Sequence, residues 1–304
     1  MRVAALDLGT NSTRLLIADV EDGRLSEVER RTEVTRLGEG VDRSGELSAA
    51  AMERVHTALA SYREMIDRHG AERIAAVATS AVRDARNGEA FRASLRERHG
   101  IDARTIPGEE EARLTFLGAT TGREDTDPVL VLDIGGGSTE VVIGVPGEEP
   151  GFHVSTQAGS VRQTERHIES DPPRAGELRA LRAEAARILR EGVPEPERRR
   201  ARAGIAVAGT PTSLAAIDQG LDPYDPDRVH GYAVTRDAAE RILARLASLP
   251  LAERRRIPGL HPGRAPTIVG GAAILCEAME AFGLDRMEAS ERDILHGAAR
   301  GAAS

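Results

Sequence analysis

The stretch Val129–Val145, V-L-V-L-D-I-G-G-G-S-T-E-V-V-I-G-V, sets two apolar, β-branched runs on either side of a glycine turn. Each run reads as a buried strand, so the pair is a hairpin with Asp133 near the end of its first strand. Gly135, Gly136 and Gly137 have no Cβ to hold a ligand off the backbone, and such a turn aims N–H groups at an anion. Ser138 and Thr139 add hydroxyls, and Asp133 and Glu140 add carboxylates that suit Mg²⁺ or the orientation of a water. The stretch reads as a phosphate site with a metal.

The same pattern is written again near the N-terminus. Ala4–Ile17 aligns without gaps on Leu130–Ile143, setting Asp7 over Asp133, Gly9 over Gly135, Ser12 over Ser138 and Arg14 over Glu140. Two copies about a domain's length apart imply a duplicated α/β unit with a ligand cleft between the halves. A third glycine turn, V-A-G-T-P-T-S from Val207, follows another apolar run and offers more contacts to the same ligand.

Around these turns the first half reads as strands over 3–8, 13–20 and 25–37, then a helix over 49–69 capped by Ser48 and stopped by Gly70. A strand over 73–79, a helix over 87–99, a strand over 103–106 and a helix opened by Pro107-Gly108 follow. The second half reads as strands near 129–134, 139–145 and 152–157. Its helices open at Gly159-Ser160 and cover 177–192, 236–248 and an Ala-rich run to Phe282, with a closing helix over 291–302. The polar stretch 122–127 ahead of Pro128 divides an N-terminal domain, 1–125, from a C-terminal domain, 126–304. The closing helix, 291–304, is a candidate to rejoin the first domain.

Composition narrows the chemistry. With 304 residues, 40% of them hydrophobic and 30% charged, the chain has material for two soluble domains. Aromatics are 2% and Trp is absent, which argues against nucleic-acid binding by base stacking. A net charge of -8 argues against a general polyanion-binding surface, so an anion must be gripped locally. There is no Lys, so cationic contacts to phosphate fall to planar, bidentate Arg. The lone Cys276 excludes an intrachain disulfide and reads as a small core residue. No apolar run is long enough for a membrane span, and the N-terminus enters a strand without a basic leader, so the cytoplasm is the expected location.

Individual residues keep a plain reading beside the chemical one. Glu109, Glu110 and Glu111 at a helix start favour the helix dipole, or one of them is catalytic. Arg83, after a strand end, forms a surface ion pair or reaches phosphate, and Ser80 and Ser160 cap turns or touch ligand. His230 has no second His or Cys at metal spacing.

Taken together, seven stretches resemble the exopolyphosphatase and guanosine pentaphosphate phosphohydrolase (Ppx/GppA) family of the actin, Hsp70 and sugar-kinase superfamily. They are D-L-G-T-N-S-T-R from Asp7, A-T-S-A-V-R-D-A from Ala78, G-E-E-E-A-R-L from Gly108, D-I-G-G-G-S-T-E from Asp133, G-S-V-R from Gly159, A-G-T-P-T-S-L-A from Ala208 and P-G-R-A-P-T-I from Pro262. The chain departs from the family at Pro266, where Asp is common, and at Glu291–Gly297, E-R-D-I-L-H-G, a variant of the usual ending.

The resemblance implies two duplicated actin-like (ribonuclease H-like) α/β domains with an interdomain cleft. It implies hydrolysis of terminal orthophosphate from inorganic polyphosphate with Mg²⁺ or Mn²⁺. The alternatives are the same reaction on guanosine pentaphosphate (pppGpp), or a non-catalytic binder of that alarmone or of ppGpp. By matching motifs, Glu111 is the base that activates water and Glu140 a second catalytic carboxylate. Asp133, Glu140 and Asp7 are associated with the metal. The phosphate contacts fall on Asn11, Ser12, Arg14, Arg83, Gly135, Gly136, Gly137, Ser138, Thr139, Gly159, Ser160, Gly209 and Thr210. A homodimer is also expected, without nucleic-acid or membrane partners.

Overall fold

The glycine hairpins form where the paired apolar runs require them. In the computed structural model, which describes residues 1–21 and 24–303, β1 (Arg2–Leu8), β2 (Thr13–Glu21) and β3 (Arg24–Glu33) make an antiparallel meander. The chain continues through α1 (Val41–Ser44), α2 (Ala49–His69), β4 (Arg73–Ala78), α3 (Ser80–Asp84), α4 (Gly88–His99), β5 (Arg104–Thr105) and α5 (Gly108–Ala119). Next come β6 (Val129–Ile134), β7 (Thr139–Gly144), β8 (Phe152–Thr156), α6 (Ser160–His167), α7 (Ala175–Gly192), α8 (Glu195–Arg198) and β9 (Ala203–Val207). The rest is α9 (Gly209–Asp218), α10 (Pro226–Val229), β10 (Ala233–Thr235), α11 (Arg236–Ser248), α12 (Leu251–Arg254), α13 (Ile268–Phe282), β11 (Arg286–Ser290) and α14 (Ile294–Ala303). Ser304, the end of the expected closing range, lies outside the described residues.

Two compact units result, Met1–Gly118 with Asp293–Ser304, and Ala119–Arg292. This division falls ahead of the 125/126 boundary read from the polar stretch. Arg123 pairs with Glu288 of β11 (2.6 Å) and Arg292 donates to the Thr121 carbonyl (2.8 Å), so the polar segment is tied into the second unit.

In the first unit the sheet order is β3-β2-β1-β4-β5, with β4 parallel to β1 and β5 parallel to β4. The second unit repeats it as β8-β7-β6-β9-β11 and adds β10 antiparallel at the edge. Both are the ribonuclease H-like order, so the actin-like α/β fold is present twice. β3 ends at Glu33, short of the expected Leu37; its charged, exposed side chains suit an edge strand. One face of the first sheet is buried by α2 and α4 through Leu59, Tyr62, Ile66, Phe91 and Leu95. The other carries α14, whose Leu295, Ala298 and Ala299 pack on Val3, Ala5 and Leu16. In the second unit α7, α9, α11 and α13 bury a mainly aliphatic face together with Cys276 and Phe282.

Local signals set the element ends. Ser48 accepts from the Ala51 N–H (3.2 Å), and Gly70 takes the left-handed conformation that stops α2. Removing the cap, Ser48→Ala, is expected to cost about 1 kcal/mol, read as a lower midpoint in urea.

Candidate active site

Each glycine turn sits at the carboxyl edge of its sheet, where open α/β sheets place ligands. Asp7 and Asp133 lie one residue before the ends of β1 and β6, and Ala208 follows the end of β9. The two hairpin tips share their geometry. A Cβ on Gly9 would stand 3.1 Å from the Ser12 carbonyl, and one on Gly135 would stand 3.1 Å from that of Ser138. Asp7 is directly opposite Arg14 in the first hairpin, and Asp133 directly opposite Glu140 in the second.

At the first tip, Arg14 Nε and Nη2 both donate to Asp7 Oδ2 (2.9 and 2.6 Å), while Nη1 pairs with Asp293. Asp7 is 4% exposed, and its Oδ1 is buried without a hydrogen-bond partner among the described residues. Burial pushes its carboxyl above the usual range, against the pull of Arg14. The Thr10 and Ser80 hydroxyls meet at 2.8 Å, which joins the tip to the start of α3. Asn11 and Ser12 are half-buried at the turn.

The three acids at the start of α5 separate. Glu109 is exposed and Glu110 is paired with Arg104 (2.8 Å), so the dipole reading suffices for both. Glu111 is 7% exposed and accepts from Arg83 Nη1 (3.0 Å), which also donates to the Ile106 carbonyl (2.9 Å). Of the first-unit residues read from motifs, the structure thus joins Glu111 to Arg83 and Asp7 to Arg14.

At the second tip, the carbonyls of the glycine turn face α6. Ser160 N donates to Gly135 O (2.9 Å), Val161 N to Gly136 O (2.8 Å) and Arg162 Nε to Gly137 O (2.7 Å). A trans peptide holds its C=O and the following N–H on opposite edges. The N–H groups of Gly136, Gly137 and Ser138 therefore point away from α6, free of its carbonyl-binding face and available to an anion. Gly159 permits the close approach, since a Cβ there would lie 2.2 Å from the Gly137 carbonyl carbon and 2.3 Å from Gly136 O. These are backbone atoms that cannot swing aside. Gly159→Ala should displace the turn and cost roughly 1–3 kcal/mol, visible as a lower melting temperature with weakened phosphate binding.

Two hydroxyls expected near phosphate also bond to the backbone. The Thr139 hydroxyl donates to Ala158 O (2.5 Å), and the Ser160 hydroxyl, like its N–H, donates to Gly135 O (3.1 Å). Both shape the turn through these bonds, and a hydroxyl in a motif does not announce its acceptor. Glu140, 1% exposed, accepts from Ser155 Oγ (2.7 Å), a partner on β8 that no motif singled out.

At the third turn Ala208 holds φ 71° and ψ -171°, a strained conformation for a residue with a Cβ. Arg264 lies across Gly209, donating to its carbonyl (3.1 Å); a Cβ on Gly209 would stand 2.5 Å from the guanidinium carbon. Thr210 is buried against Gly271 of α13. Arg264 was visible in P-G-R-A-P-T-I but not as a site residue, because nothing in the stretch says which turn it covers.

The carboxylates suit a divalent cation. In the second unit Asp133 and Glu140 are cross-strand neighbours, and in the first unit Asp7 Oδ1 is a buried oxygen without a hydrogen-bond partner among the described residues. Among the described residues no group of three or more His, Cys, Asp or Glu comes together so as to hold a metal ion, so the expected set of Asp7, Asp133 and Glu140 stays a proposal.

Comparison with known proteins gives the family. The model of the family described as Ppx/GppA phosphatase matches residues 16–301. The chain is 40% identical over 317 aligned residues to exopolyphosphatase 2 of Mycobacterium tuberculosis, covering 98% of this chain and 97% of that protein. Among solved structures, an exopolyphosphatase-like protein superposes with a TM-score of 0.93 at 36% identity, covering 99% of this chain and 97% of the other. The Aquifex aeolicus member of the Ppx/GppA family superposes at 0.82 with 31% identity, over 99% of this chain and 97% of its own. No helix among the described residues is long and apolar enough to cross a membrane.

Proposed function

This chain belongs to the Ppx/GppA phosphatase family, and we propose that within it the protein is an exopolyphosphatase releasing terminal orthophosphate from inorganic polyphosphate. The observation that carries this reading is the glycine turn at Gly135–Ser138, its carbonyls held by α6 and its N–H row turned outward beside two carboxylates. The similarity to exopolyphosphatase 2 over nearly the whole of both chains supports the choice of substrate.

The chemistry follows from the side chains. The N–H row of Gly136, Gly137 and Ser138 binds oxygens of the terminal phosphoryl group and stabilises the charge they carry during transfer. Glu111 aligns a water and takes its proton as the oxygen bonds to phosphorus. The bridging P–O bond then breaks, and its electron pair leaves on the shortened polyphosphate as orthophosphate is formed. Arg83 holds Glu111 in one orientation, ready to accept that proton. Asp133 and Glu140 are the residues to hold Mg²⁺ or Mn²⁺, with Asp7 a further carboxylate for the ion or its water. The ion supplies neutralisation of phosphoryl charge.

Steady-state phosphate release from polyphosphate and from pppGpp at equal concentration with Mg²⁺ tests the reading. Faster release from polyphosphate supports it, and preference for pppGpp transfers the same chemistry to the alarmone. Tight alarmone binding with no release at any metal concentration makes the protein a regulator. The expected homodimer is checked by its mass in light scattering.

A further inference from the structure

We propose that Asp293 and His296, at the start of α14, are positioning residues for the first hairpin tip: they hold Arg14, and through Arg14 they hold Asp7. This rests on the reading of Asp7 as a carboxylate of the active site. The observation is a string of neighbouring ionisable side chains within the first unit, running Glu27, His296, Asp293, Arg14, Asp7, with Asp293 N–H donating to His296 Nδ1 at 3.2 Å. Glu27 Oε1 lies 3.0 Å from His296 Nε2; Arg14 Nη1 pairs with Asp293 Oδ2; Arg14 Nη2 donates to Asp7 Oδ2 at 2.6 Å. The string ends at Asp7 Oδ1, the buried oxygen without a partner among the described residues.

Several features make this a fixed support. Asp293 Oδ1 accepts from the Leu295 N–H (3.0 Å) at the first turn of α14, which leaves Oδ2 aimed at Arg14. α14 itself has no slack against α5, the helix that begins with the Glu111 turn. A Cβ on Gly118 would lie 1.9 Å from Asp293 O, and one on Gly297 would lie 2.0 Å from Leu114 O. Backbone meets backbone there, so the helix delivers Asp293 to one place.

His296 is 2% exposed. Burial alone would lower its pKa, but hydrogen bonds and charge from Asp293 and Glu27 overcome this and hold it above the ordinary histidine value. As a neutral ring, Nδ1 accepts from the Asp293 N–H (3.2 Å); once protonated, Nδ1 is drawn to Asp293 Oδ1, 3.9 Å away. The charged groups around the ring are Glu27 on β3 and Asp293 on its own helix. Behind them stand Arg30, paired with Glu27, and Arg14 on β2 with Asp7 on β1, linked to Asp293. Because folding raises the histidine pKa, its stabilising contribution is full below the unfolded value near 6.5 and is lost as pH rises through the folded value.

The test uses the full chain with Asp293→Asn, His296→Gln and the milder Glu27→Gln. Histidine ring ¹⁵N spectra should show His296 titrating above the ordinary value in the wild type and falling in Asp293→Asn and Glu27→Gln, with the Arg14 Nε–H resonance moving in Asp293→Asn. On polyphosphate with saturating Mg²⁺, kcat should drop about tenfold in Asp293→Asn with KM nearly unchanged, an interaction felt in the transition state. The alkaline limb of the kcat profile should shift down in Glu27→Gln and vanish in His296→Gln. A lower melting temperature with wild-type kcat and pH profile would reduce the pair to a structural brace and overturn the proposal. If the wild type releases no phosphate from polyphosphate, the proposed function falls, while the ring titration and the Arg14 resonance still decide the string: coupled changes support it and independent ones overturn it.

Discussion

Glu111→Gln is expected to lower turnover on polyphosphate by roughly 10²-fold or more with KM little changed, the size of effect seen when a general base is lost. The amide keeps the shape and can still accept from Arg83, so packing and substrate binding stay in place while the proton acceptor is gone. The neighbouring Glu110→Gln is the control. That side chain is paired with exposed Arg104, a surface pair worth little, and its loss should leave turnover unaltered. Steady-state kinetics on both variants, with bound phosphate measured separately, makes the comparison. Wild-type turnover in Glu111→Gln would leave its buried carboxylate as nothing more than an anchor for Arg83.

Asp133→Asn is expected to raise the Mg²⁺ concentration needed for half-maximal activity by about 10–100-fold, the usual cost of disturbing a metal's surroundings. The substitution removes one of two carboxylates facing each other across β6 and β7. The surviving Glu140 stays fixed by Ser155, so binding is weakened more than abolished. A Mg²⁺ titration followed by phosphate release shows the shift. The rise in melting temperature that Mg²⁺ gives the wild type should shrink in parallel, since an ion that binds only the folded state stabilises according to its affinity. An unchanged requirement would remove Asp133 from the metal site.

Much of this was legible because the decisive signals are local. The paired apolar runs around Gly9 and Gly135 spell their hairpins, and Ser48, Gly70, Gly100 and Thr235 mark helix ends through bonds that span a few residues. Where the sequence reading failed, the signal was weak or distant. β11, R-M-E-A-S, lacks both alternation and β-branched residues, and β10 has only three residues, so neither strand of the second sheet was read. Both are held in place by pairing partners far along the chain, with Glu288 opposite Ile205 and Ala233 opposite Glu288.

The site divides the same way. Motifs led to Glu111, Asp133 and the glycine turn, but three adjacent acids look alike until burial distinguishes Glu111. The union of Arg14 with Asp293 spans 279 positions, and no periodicity reports such a pairing. The hydroxyls of Thr139 and Ser160 also donate to backbone carbonyls far along the chain, partners that a phosphate motif does not reveal.

The return of residues 293–304 to the first unit bears on how the protein comes into being at the ribosome. Nascent domains generally fold in order as they emerge, yet the leading half here waits for a closing piece made after the entire trailing half. Until that piece arrives, Val3, Ala5 and Leu16 lack the helix that covers them, and Arg14 at the start of β2 lacks its partner Asp293. Chains arrested during translation before position 293 should expose this greasy face to chaperones and bind an environment-sensitive dye, and release of the completed polypeptide should abolish both.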